Sequence, residues 1–445
     1  TGVQTCALPI LAASVLHFLD AFPVATMEPG DVFLTNDPWK GTGHLFDVVV
    51  LTPVFRNGAV VALFACTSHV VDIGGMGFTT DSKEIYHEGL RLPLLRFARR
   101  GEFDPNVVAI VEANVRDKVQ VIGDIHSLVA CNETGARRLL AMMDEYGLDD
   151  LDELADHVLG ASRDAMLAAV RALPRGSWTS TMRVDGMTDV IEIVATLTVS
   201  DDGIDVDFTG TGPQVPFGIN VPLAYTVAYT SFGVRCIVGP EIPNNSGSLG
   251  VVRVTAPEGC ILNAPHPAAV NVRHVMGQML PDAVFGCLAQ AVPERVPAEG
   301  TSSLWNLLAT GPWEPLGASP GSPPERFIMM SFHSGGAGAR PDQDGLSATA
   351  FPSGVRNMPV EINELVSPLV FWRKEFRPGS GGTGRYRGGL GQVIELANRQ
   401  GRDFTISATY ERVVHPARGR DGRSEEHTSE LQSHLNLVCR LLLEK

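Results

Sequence analysis

The pattern His-x-x-Asp occurs twice within residues 43–75, as His44 with Asp47 and as His69 with Asp72. Imidazole nitrogen and carboxylate oxygen together form a mixed ligand set that suits Mn, Fe, Zn or Co. An ion held by three protein ligands keeps open positions, where it lowers the pKa of a water molecule or polarises a carbonyl group. A lone histidine on a strand is more often a hydrogen-bonded structural residue. The pattern therefore predicts a metal site only if the fold brings the two pairs together.

The segment between the pairs predicts a β-hairpin. Two apolar runs, VVVLTPVF and AVVALFACTS, flank the tripeptide Arg-Asn-Gly at 56–58, which is typical of a hairpin turn. With a two-residue loop His69 would lie opposite Phe46, and Asp47 would point to the other face of the sheet, because side chains alternate. With a three-residue loop Asp47 would lie opposite Thr67, on the face that carries His69. We predict the three-residue loop, since of these two registers it is the one that makes a site.

Other polar residues are further candidates. Asp37, in the sequence Asn36-Asp37-Pro38, could ligate the same ion or accept a hydrogen bond from a ligating histidine. The same tripeptide is equally typical of a simple turn, and both interpretations stay open. His126 lies in a helical stretch two positions from Asp124, which cannot share its helix face, and we interpret it as structural. The polar residues of the loop after the hairpin are interpreted as a solvated surface: Asp81, Glu84, His87 and Glu88.

Residues 380–391, SGGTGRYRGGLG, are rich in glycine, and such loops can expose backbone N–H groups to anions. The segment does not match G-x-x-x-x-G-K-[ST], and it lacks the strand, loop and helix context of a nucleotide motif. We therefore predict tight turns between strands, with Arg385 and Arg387 available for an anion or for the carboxylates of a partner. The sequence has neither a serine nucleophile elbow nor a cysteine with a base nearby in sequence, so covalent catalysis has no support.

The two ends of the chain are expected to be foreign to the fold. Residues 1–10, TGVQTCALPI, and residues 423–432, RSEEHTSELQ, can be encoded in frame by the two complementary strands of one oligonucleotide, which resembles a common sequencing adapter. The ends of a natural chain have no reason to be related in this way. Residues 1–10 and 423–445 are therefore set aside as one sets aside a fusion scar, and native sequence is expected over 11–422, open at both ends.

Composition disfavours some partners. The formal charge is −15, and it is −14 for residues 11–422 because the C-terminal segment carries four acids and three bases. Such an acidic chain disfavours binding to nucleic acid or to an anionic membrane. Five of the seven cysteines lie in 11–422, an odd number without a Cys-x-x-Cys pair, which indicates a reducing compartment. Apolar runs are too short for a membrane span, so we expect a soluble, cytoplasmic protein.

Hydrophobic periodicity changes along the chain and predicts an α+β fold. Helical periodicity over about 105–173 indicates two or three amphipathic helices. Two buried helices are expected over LAYTVAYTSFGVRCIVG and VMGQMLPDAVFGCLAQAV, and strands alternate around Asp201-Asp202-Gly203. Strict alternation of strands and helices is absent, which argues against a doubly wound sheet. The expected regions are 1–10 (foreign), 11–105 (hairpin with metal site), 106–175 (helical), 176–300 (mixed), 301–422 (strand-rich with the glycine-rich turn) and 423–445 (foreign).

The order of several motifs resembles that of the hydantoinase B/oxoprolinase family. The motifs are NDPWKGTGHLFDVVVLTPVF, SHVVDIGG, EIYHEGLRLPLLRF, GINVPLAYT, IPNNSGS, EGCILN with HPAAV, and SGGTGRYRGGLG, and they cover essentially all of 11–422. The resemblance implies that the metal ligands are His44, Asp47 and His69, with Asp72 as a fourth or outer group.

Around the first ligands the sequence departs from the family pattern Gly-Gly-Thr-His-x-Pro-Asp. Gly43 is in effect inserted between Thr and His, and Phe46 stands where proline is common. The spacing from His to Asp is retained. We expect Asp72 and Asp37 to be catalytic residues beside the ion.

The resemblance implies that this chain is half of an ATP-dependent machine. A hydantoinase A-type ATPase subunit of sugar-kinase-like fold would bind ATP and phosphorylate a small cyclic amide, and this chain would complete hydrolysis at a divalent Mn, Zn or Fe ion. No ATP motif is found in the sequence, which agrees with ATP on the partner and with a hetero-oligomer. Two rivals stay open: a subunit of an acetone- or acetophenone-type carboxylase, acting on a ketone, and a non-catalytic scaffold for the ATPase.

Overall fold

The computed structural model describes residues 2–420, apart from 303, 316, 318, 320, 350 and 357. The expected foreign segment 423–445 lies outside the described residues. The chain divides into two compact units, of which the first contains Gln4–Ser177 and Thr196–Gly277. The second contains Trp178–Ala195 and the described residues from Gln278 onward. Helices and several small sheets occur together, which confirms the predicted α+β class.

Helices and strands follow one another along the chain without strict alternation. The first part of the chain forms α1 (Gly2–Ala21), β1 (Val32–Thr35), β2 (Asp47–Arg56), β3 (Ala59–His69), β4 (Leu95–Arg99), β5 (Glu102–Phe103), α2 (Pro105–Asn114), α3 (Lys118–Tyr146), α4 (Asp152–Arg171), β6 (Gly176–Val184), β7 (Ile191–Ser200), β8 (Gly203–Asp207), α5 (Leu223–Ile237), α6 (Ser246–Leu249), β9 (Val252–Thr255) and α7 (His274–Gly277). The remainder forms α8 (Leu280–Ala291), β10 (Trp305–Trp313), β11 (Glu325–His333), α9 (Val360–Val366), β12 (Leu369–Phe376), β13 (Gln392–Asn398) and β14 (Thr405–Thr409). None of these described helices is long and apolar enough to cross a membrane.

Strand β2 lies inside a five-stranded sheet with the order β3-β2-β1-β4-β5. Its alternate residues enter different cores, since Val48 and Val50 pack in the cluster that includes α3, whereas Val49 packs in the cluster that includes Phe18 of α1. A strand covered on both faces has a continuous apolar sequence, because its side chains alternate between two faces that are both buried. Burial of each such side chain contributes about 1.5–3 kcal/mol. This burial holds β2 in place and thereby positions its first residue, Asp47.

The hairpin of β2 and β3 turns on two residues, so the predicted three-residue loop is wrong. Arg56 pairs with Ala59 across the turn. The two turn residues, Asn57 and Gly58, have φ values of 51° and 82°. Positive φ at both positions is the signature of the type I′ turn, whose twist matches that of the two strands.

A two-residue loop alone would place Asp47 and His69 on opposite faces of the sheet, but a β-bulge returns them to the same face. The register shifts between Val54 and Phe55, because β3 contains one extra residue, Val61, between their partners. One extra residue moves all later pairs by one position and therefore changes which side chains share a face. Beyond the bulge, Asp47 lies directly opposite His69. The two residues share a face, and they are direct rather than diagonal neighbours.

The helices predicted between residues 105 and 173 are α2, α3 and α4. Asp104 and Asp117 begin α2 and α3, because each carboxylate accepts a hydrogen bond from a backbone N–H of the first turn. Gly147 ends α3 with a φ of 65°. His126 of α3 meets the ring of Phe103 edge to face, with 4.5 Å between centroids, which is the packing expected of a structural histidine.

The helix predicted over residues 275–292 is divided into two. α7 ends at Gly277 and α8 begins at Leu280. The interruption follows from Pro281, whose nitrogen carries no hydrogen and whose ring would clash with the carbonyl four residues earlier, at Gly277. The other predicted buried helix corresponds to α5.

The second unit is rich in strands from residue 301 onward, as predicted. β11, β10 and β14 form one antiparallel sheet, and β12 pairs antiparallel with β13. Their core contains Leu307, Phe327, Met329, Leu369 and Leu396. The glycine-rich segment connects β12 to β13, which agrees with the predicted turns between strands.

The predicted turn at residues 201–203 lies between β7 and β8, and β8 pairs in parallel with β9.

Candidate metal centre

The structure brings His44, Asp47 and His69 together at the open end of the hairpin. Each residue offers one ligand atom, and these atoms lie within 4.8 Å of one another. Asp47 is the first residue of β2, His69 is the last residue of β3 opposite it, and His44 lies in the turn that enters β2. A transition metal about 2.0–2.3 Å from each ligand requires a similar spread of ligand atoms. The cluster is therefore of the right size for one ion.

His44 is buried and presents one ring nitrogen toward the cluster. Its Nδ1 lies 3.0 Å from the carbonyl oxygen of Asn271, and a carbonyl only accepts, so Nδ1 carries the proton and donates it. Its Nε2 then carries a lone pair that lies 3.1 Å from Asp47 Oδ1. Nε2 is buried and has no hydrogen-bond partner within the described part of the chain. A buried lone pair that faces a carboxylate oxygen is unfavourable unless a proton or a metal cation lies between them.

Asp47 is held by two donors on one oxygen, which leaves the other oxygen available to a cation. Oδ2 accepts hydrogen bonds from Thr42 Oγ1 at 2.7 Å and from Arg273 Nη2 at 2.7 Å. Oδ1 faces His44. Burial by itself would raise the pKa of Asp47, but the positive charge around it, including the guanidinium of Arg273, outweighs burial and holds that pKa well below the ordinary value. Asp47 is thus an ionised carboxylate with a fixed orientation, which suits it to be a ligand.

Gly43 is required by the turn that carries His44. Its φ is +100°, and a Cβ atom at this position would lie 2.6 Å from Arg273 Nε. The same Nε donates to the carbonyl of Thr42 at 2.9 Å, and the guanidinium lies over the ring of Tyr225 at 4.4 Å. The glycine inserted into the sequence pattern therefore makes room for Arg273, which binds both the turn and Asp47.

His69 is the member of the cluster that contacts solvent, and an aromatic wall lies beside it. Its ring stacks on Phe46 with 5.1 Å between centroids and meets the edge of Phe78 at 5.9 Å. Phe78 in turn stacks on the buried ring of His274 at 5.7 Å. The protein packed around these rings lowers the pKa of His69 to about 4 and that of His274 to about 3, with further lowering by the nearby positive groups. Both imidazoles are neutral at pH 7, which is the form that ligates metals.

Sequence reasoning missed the residues of the segment 271–274 that complete the site. Asn271 accepts from His44, Arg273 binds Asp47, and His274 supports the aromatic wall. They lie about 200 residues beyond the end of the hairpin at His69, so neither spacing nor periodicity could connect them with it. The available signal was an Arg-His pair inside the apolar run AAVNVRHVMG, because a charged residue in a buried run needs a partner.

Glu88 is buried, so its interpretation as part of a solvated loop is wrong. Its Oε1 accepts hydrogen bonds from Ser82 Oγ at 2.9 Å and from the backbone N–H groups of Val270 and Asn271 at 2.7 and 3.0 Å. Burial raises the pKa of this carboxyl group to about 7. Because Asn271 also holds His44, Glu88 supports the site through the backbone of that segment.

Asp37 and Asp72 do not belong to the cluster found among the described residues. Asp37 Oδ1 accepts from the backbone N–H of Trp39 at 3.0 Å, which closes the turn that its sequence also allowed. Asp72 Oδ1 accepts from Arg116 Nη1 at 2.6 Å and from the backbone N–H of Gly74 at 3.2 Å. Their geometry is that of turn-forming residues, and the catalytic role expected of them stays a prediction.

Comparison with known proteins gives a consistent result. A family model described as hydantoinase B/oxoprolinase matches residues 4–436, a range that includes part of both ends expected to be foreign. The caprolactamase subunit beta of Pseudomonas jessenii is 30% identical over 386 residues, which is 82% of this chain and 64% of that protein. The chain spans about two-thirds of the length of this and two other curated relatives.

Two solved structures resemble the fold. The crystal structure of ATP-dependent caprolactamase from Pseudomonas jessenii has a TM-score of 0.75 and 27% identity, and the match covers 88% of this chain and 69% of that chain. The nucleotide-free structure of acetone carboxylase has a TM-score of 0.77 and covers 89% of this chain and 56% of that chain. The identity to acetone carboxylase is 19%, so that likeness concerns the fold alone.

Proposed function

The chain belongs to the hydantoinase B/oxoprolinase family, and from this premise we propose that it is the metal-bearing B-type subunit, or a piece of it, of an ATP-dependent enzyme that opens a cyclic amide. The observation that carries the proposal is the buried Nε2 of His44, which faces Asp47 Oδ1 beside His69. Two neutral imidazoles and one carboxylate fit a divalent Mn, Zn or Fe ion.

The residues of this chain would hold the ion and shape its surroundings. His44 Nε2, Asp47 Oδ1 and a ring nitrogen of His69 would be the ligands. When bound, the ion would polarise a carbonyl oxygen or lower the pKa of a water molecule. The hydrogen bond from His44 to Asn271 keeps the ligating nitrogen deprotonated and the ring oriented. The half-buried ring of Phe78, supported from behind by the buried ring of Phe46, would provide an apolar surface for the methylene groups of a lactam ring.

The same proposal assigns ATP binding and ring opening to two different subunits. The name caprolactamase subunit beta implies a second subunit in that relative, and the related structure is called ATP-dependent. This sequence contains no G-x-x-x-x-G-K-[ST] pattern. A hydantoinase A-type ATPase subunit would therefore bind ATP and activate the amide, and the metal-bearing chain would complete ring opening.

A second candidate is the carboxylation of a ketone, favoured by the fold shared with acetone carboxylase. The same three ligands would polarise a ketone carbonyl as readily as an amide carbonyl. The cyclic amide is preferred because the caprolactamase relative is closer in sequence, at 27% against 19% identity over similar shares of this chain.

The test is reconstitution with a hydantoinase A-type ATPase subunit. Ring opening of hydantoins, 5-oxoproline and caprolactam and carboxylation of acetone and acetophenone would be assayed with ATP, bicarbonate and Mn, Zn or Fe. We expect ATP-dependent ring opening that is lost in Asp47→Ala and retained in His126→Ala, and we expect no MgATP binding to this chain alone by isothermal titration. Carboxylation without ring opening would select the second candidate. Micromolar affinity of the isolated chain for MgATP would overturn the assignment of ATP binding to the partner subunit.

A further inference from the structure

We propose that a cleft in the second unit binds a small anion that carries a phosphate or carboxylate group, at a site separate from the candidate metal centre. The cleft has a volume of about 540 Å³, within the range of small-molecule sites. Its charged lining, among the described residues, consists of Arg340, Arg385, Arg418, Arg420, Glu294 and Glu299. Four arginines and two glutamates thus line this cleft in a chain whose net charge is −15.

Arg340 is anchored in a way that leaves its charge available. Its Nε and Nη2 donate to the backbone carbonyl of Asp344 at 3.0 and 2.8 Å. A neutral acceptor fixes the orientation of a guanidinium without cancelling its charge, so the field of Arg340 acts on the cleft. An oriented cation loses little conformational freedom when a ligand binds, which favours binding.

Arg385 comes from the glycine-rich segment, which is tied to the segment of Arg340. The backbone N–H of Arg387 donates to Asp344 Oδ1 at 2.8 Å, and the backbone N–H of Gly345 donates to the carbonyl of Arg387 at 2.7 Å. These bonds place the exposed Arg385 at the same cleft as Arg340. The glycine-rich segment, predicted to form turns with available arginines, is therefore positioned as one wall of a site.

The buried carboxylate of the cleft is already neutralised. Glu299 is buried and accepts from Arg412 Nη1 at 3.0 Å and from Arg418 Nε at 2.9 Å. Burial would raise the pKa of Glu299, but these two arginines outweigh it and lower that pKa. Glu294 is exposed and lies 3.8 Å from Arg295. Neither acid offsets Arg340 and Arg385, so the cleft attracts anions, and planar guanidinium forks suit the paired oxygens of phosphate and carboxylate.

The test is isothermal titration of the full metal-free chain with inorganic phosphate and, separately, with glutarate as a dicarboxylate. We expect saturable binding of one of them, weakened at least tenfold in Arg385→Gln and in Arg340→Gln. Arg326→Gln removes an exposed arginine of the same unit that does not line the cleft, and it should change affinity less than twofold. Binding of phosphate alone or of glutarate alone would identify the anion class.

Two outcomes would overturn the anion site. One is the absence of saturable binding of both probes, and the other is unchanged affinity in Arg385→Gln, whose exposed side chain can be replaced without disturbing the core. Unfolding midpoints of the variants would be measured alongside to show that they are folded. His69→Ala should leave anion binding unchanged, so failure of the proposed metal centre and failure of the anion site are distinguishable.

Discussion

Replacing His69 by alanine should abolish the stabilisation of this protein by metal while leaving the metal-free chain almost as stable as before. His69 contacts solvent at the end of β3, so its removal from the metal-free chain should cost no more than about 1 kcal/mol. His44 is a poorer choice, because it is buried and its loss would leave the carbonyl of Asn271 without that donor. The exposed ligand therefore separates metal binding from folding.

The expected stabilisation by the metal and the rise in Tm follow from the linkage between binding and folding. An ion that binds only the folded chain, at 100 times its dissociation constant, stabilises it by about 2.7 kcal/mol. For a unit of this size that corresponds to a rise in Tm of roughly 5–10 °C. A site with two ligands left binds at least about 100-fold more weakly. At the same metal concentration the variant would gain only about 0.4 kcal/mol, and its Tm would rise by less than about 2 °C.

The assay is scanning calorimetry of wild type, His69→Ala and His126→Ala, each stripped with a chelator and then supplied with Mn, Zn or Fe. His126 packs on Phe103 away from the cluster, so that variant should show the same metal-dependent rise as wild type. An equal rise in His69→Ala would show that the ion binds elsewhere. No rise in wild type with any of the three metals would show that the cluster is a set of hydrogen-bonding side chains.

Three further predictions concern the surroundings of the site and the ends of the chain. Glu88→Gln should flatten the pH dependence of stability. In the wild type the pKa of Glu88 in the folded chain is about 7, above the ordinary value of 4.5, so the free energy of unfolding should fall by up to about 3 kcal/mol as the pH rises between these values. Urea unfolding at pH 5 and pH 7.5 measures this difference in both proteins. Gly43→Ala should cost at least about 2 kcal/mol and weaken metal binding, because the new methyl group meets Arg273; Gly58→Ala, with a similar φ and open space, should cost only about 1 kcal/mol of backbone strain in the same urea assay. A chain of residues 11–422 should melt within a few degrees of the full chain by calorimetry, and a large loss of stability would show that the ends contribute to the fold.

The sequence by itself determined the local chemistry of the candidate site. The spacing of His44, Asp47 and His69, the apolar runs between them and the Asn-Gly turn are all readable without a structure, because ligand type, strand propensity and turn preference act over a few residues. The same holds for the periodicity of α2, α3 and α4 and for the aspartates that cap α2 and α3, because these signals are local. Pro281 was a readable signal as well, since a proline interrupts a helix wherever it lies inside one.

Only the tertiary structure decided the register of the hairpin and the identity of the groups around the ligands. Val61 leaves the ladder as a bulge in a run of similar apolar residues, where local sequence gives no preference for one position over the next. The faces are instead selected by burial of β2 between two cores, which outweighs the turn. Asn271, Arg273 and the burial of Glu88 depend on a segment distant in sequence that packs against the hairpin. Such contacts form because buried polar groups must find partners anywhere in the fold, and that requirement has no periodicity in sequence.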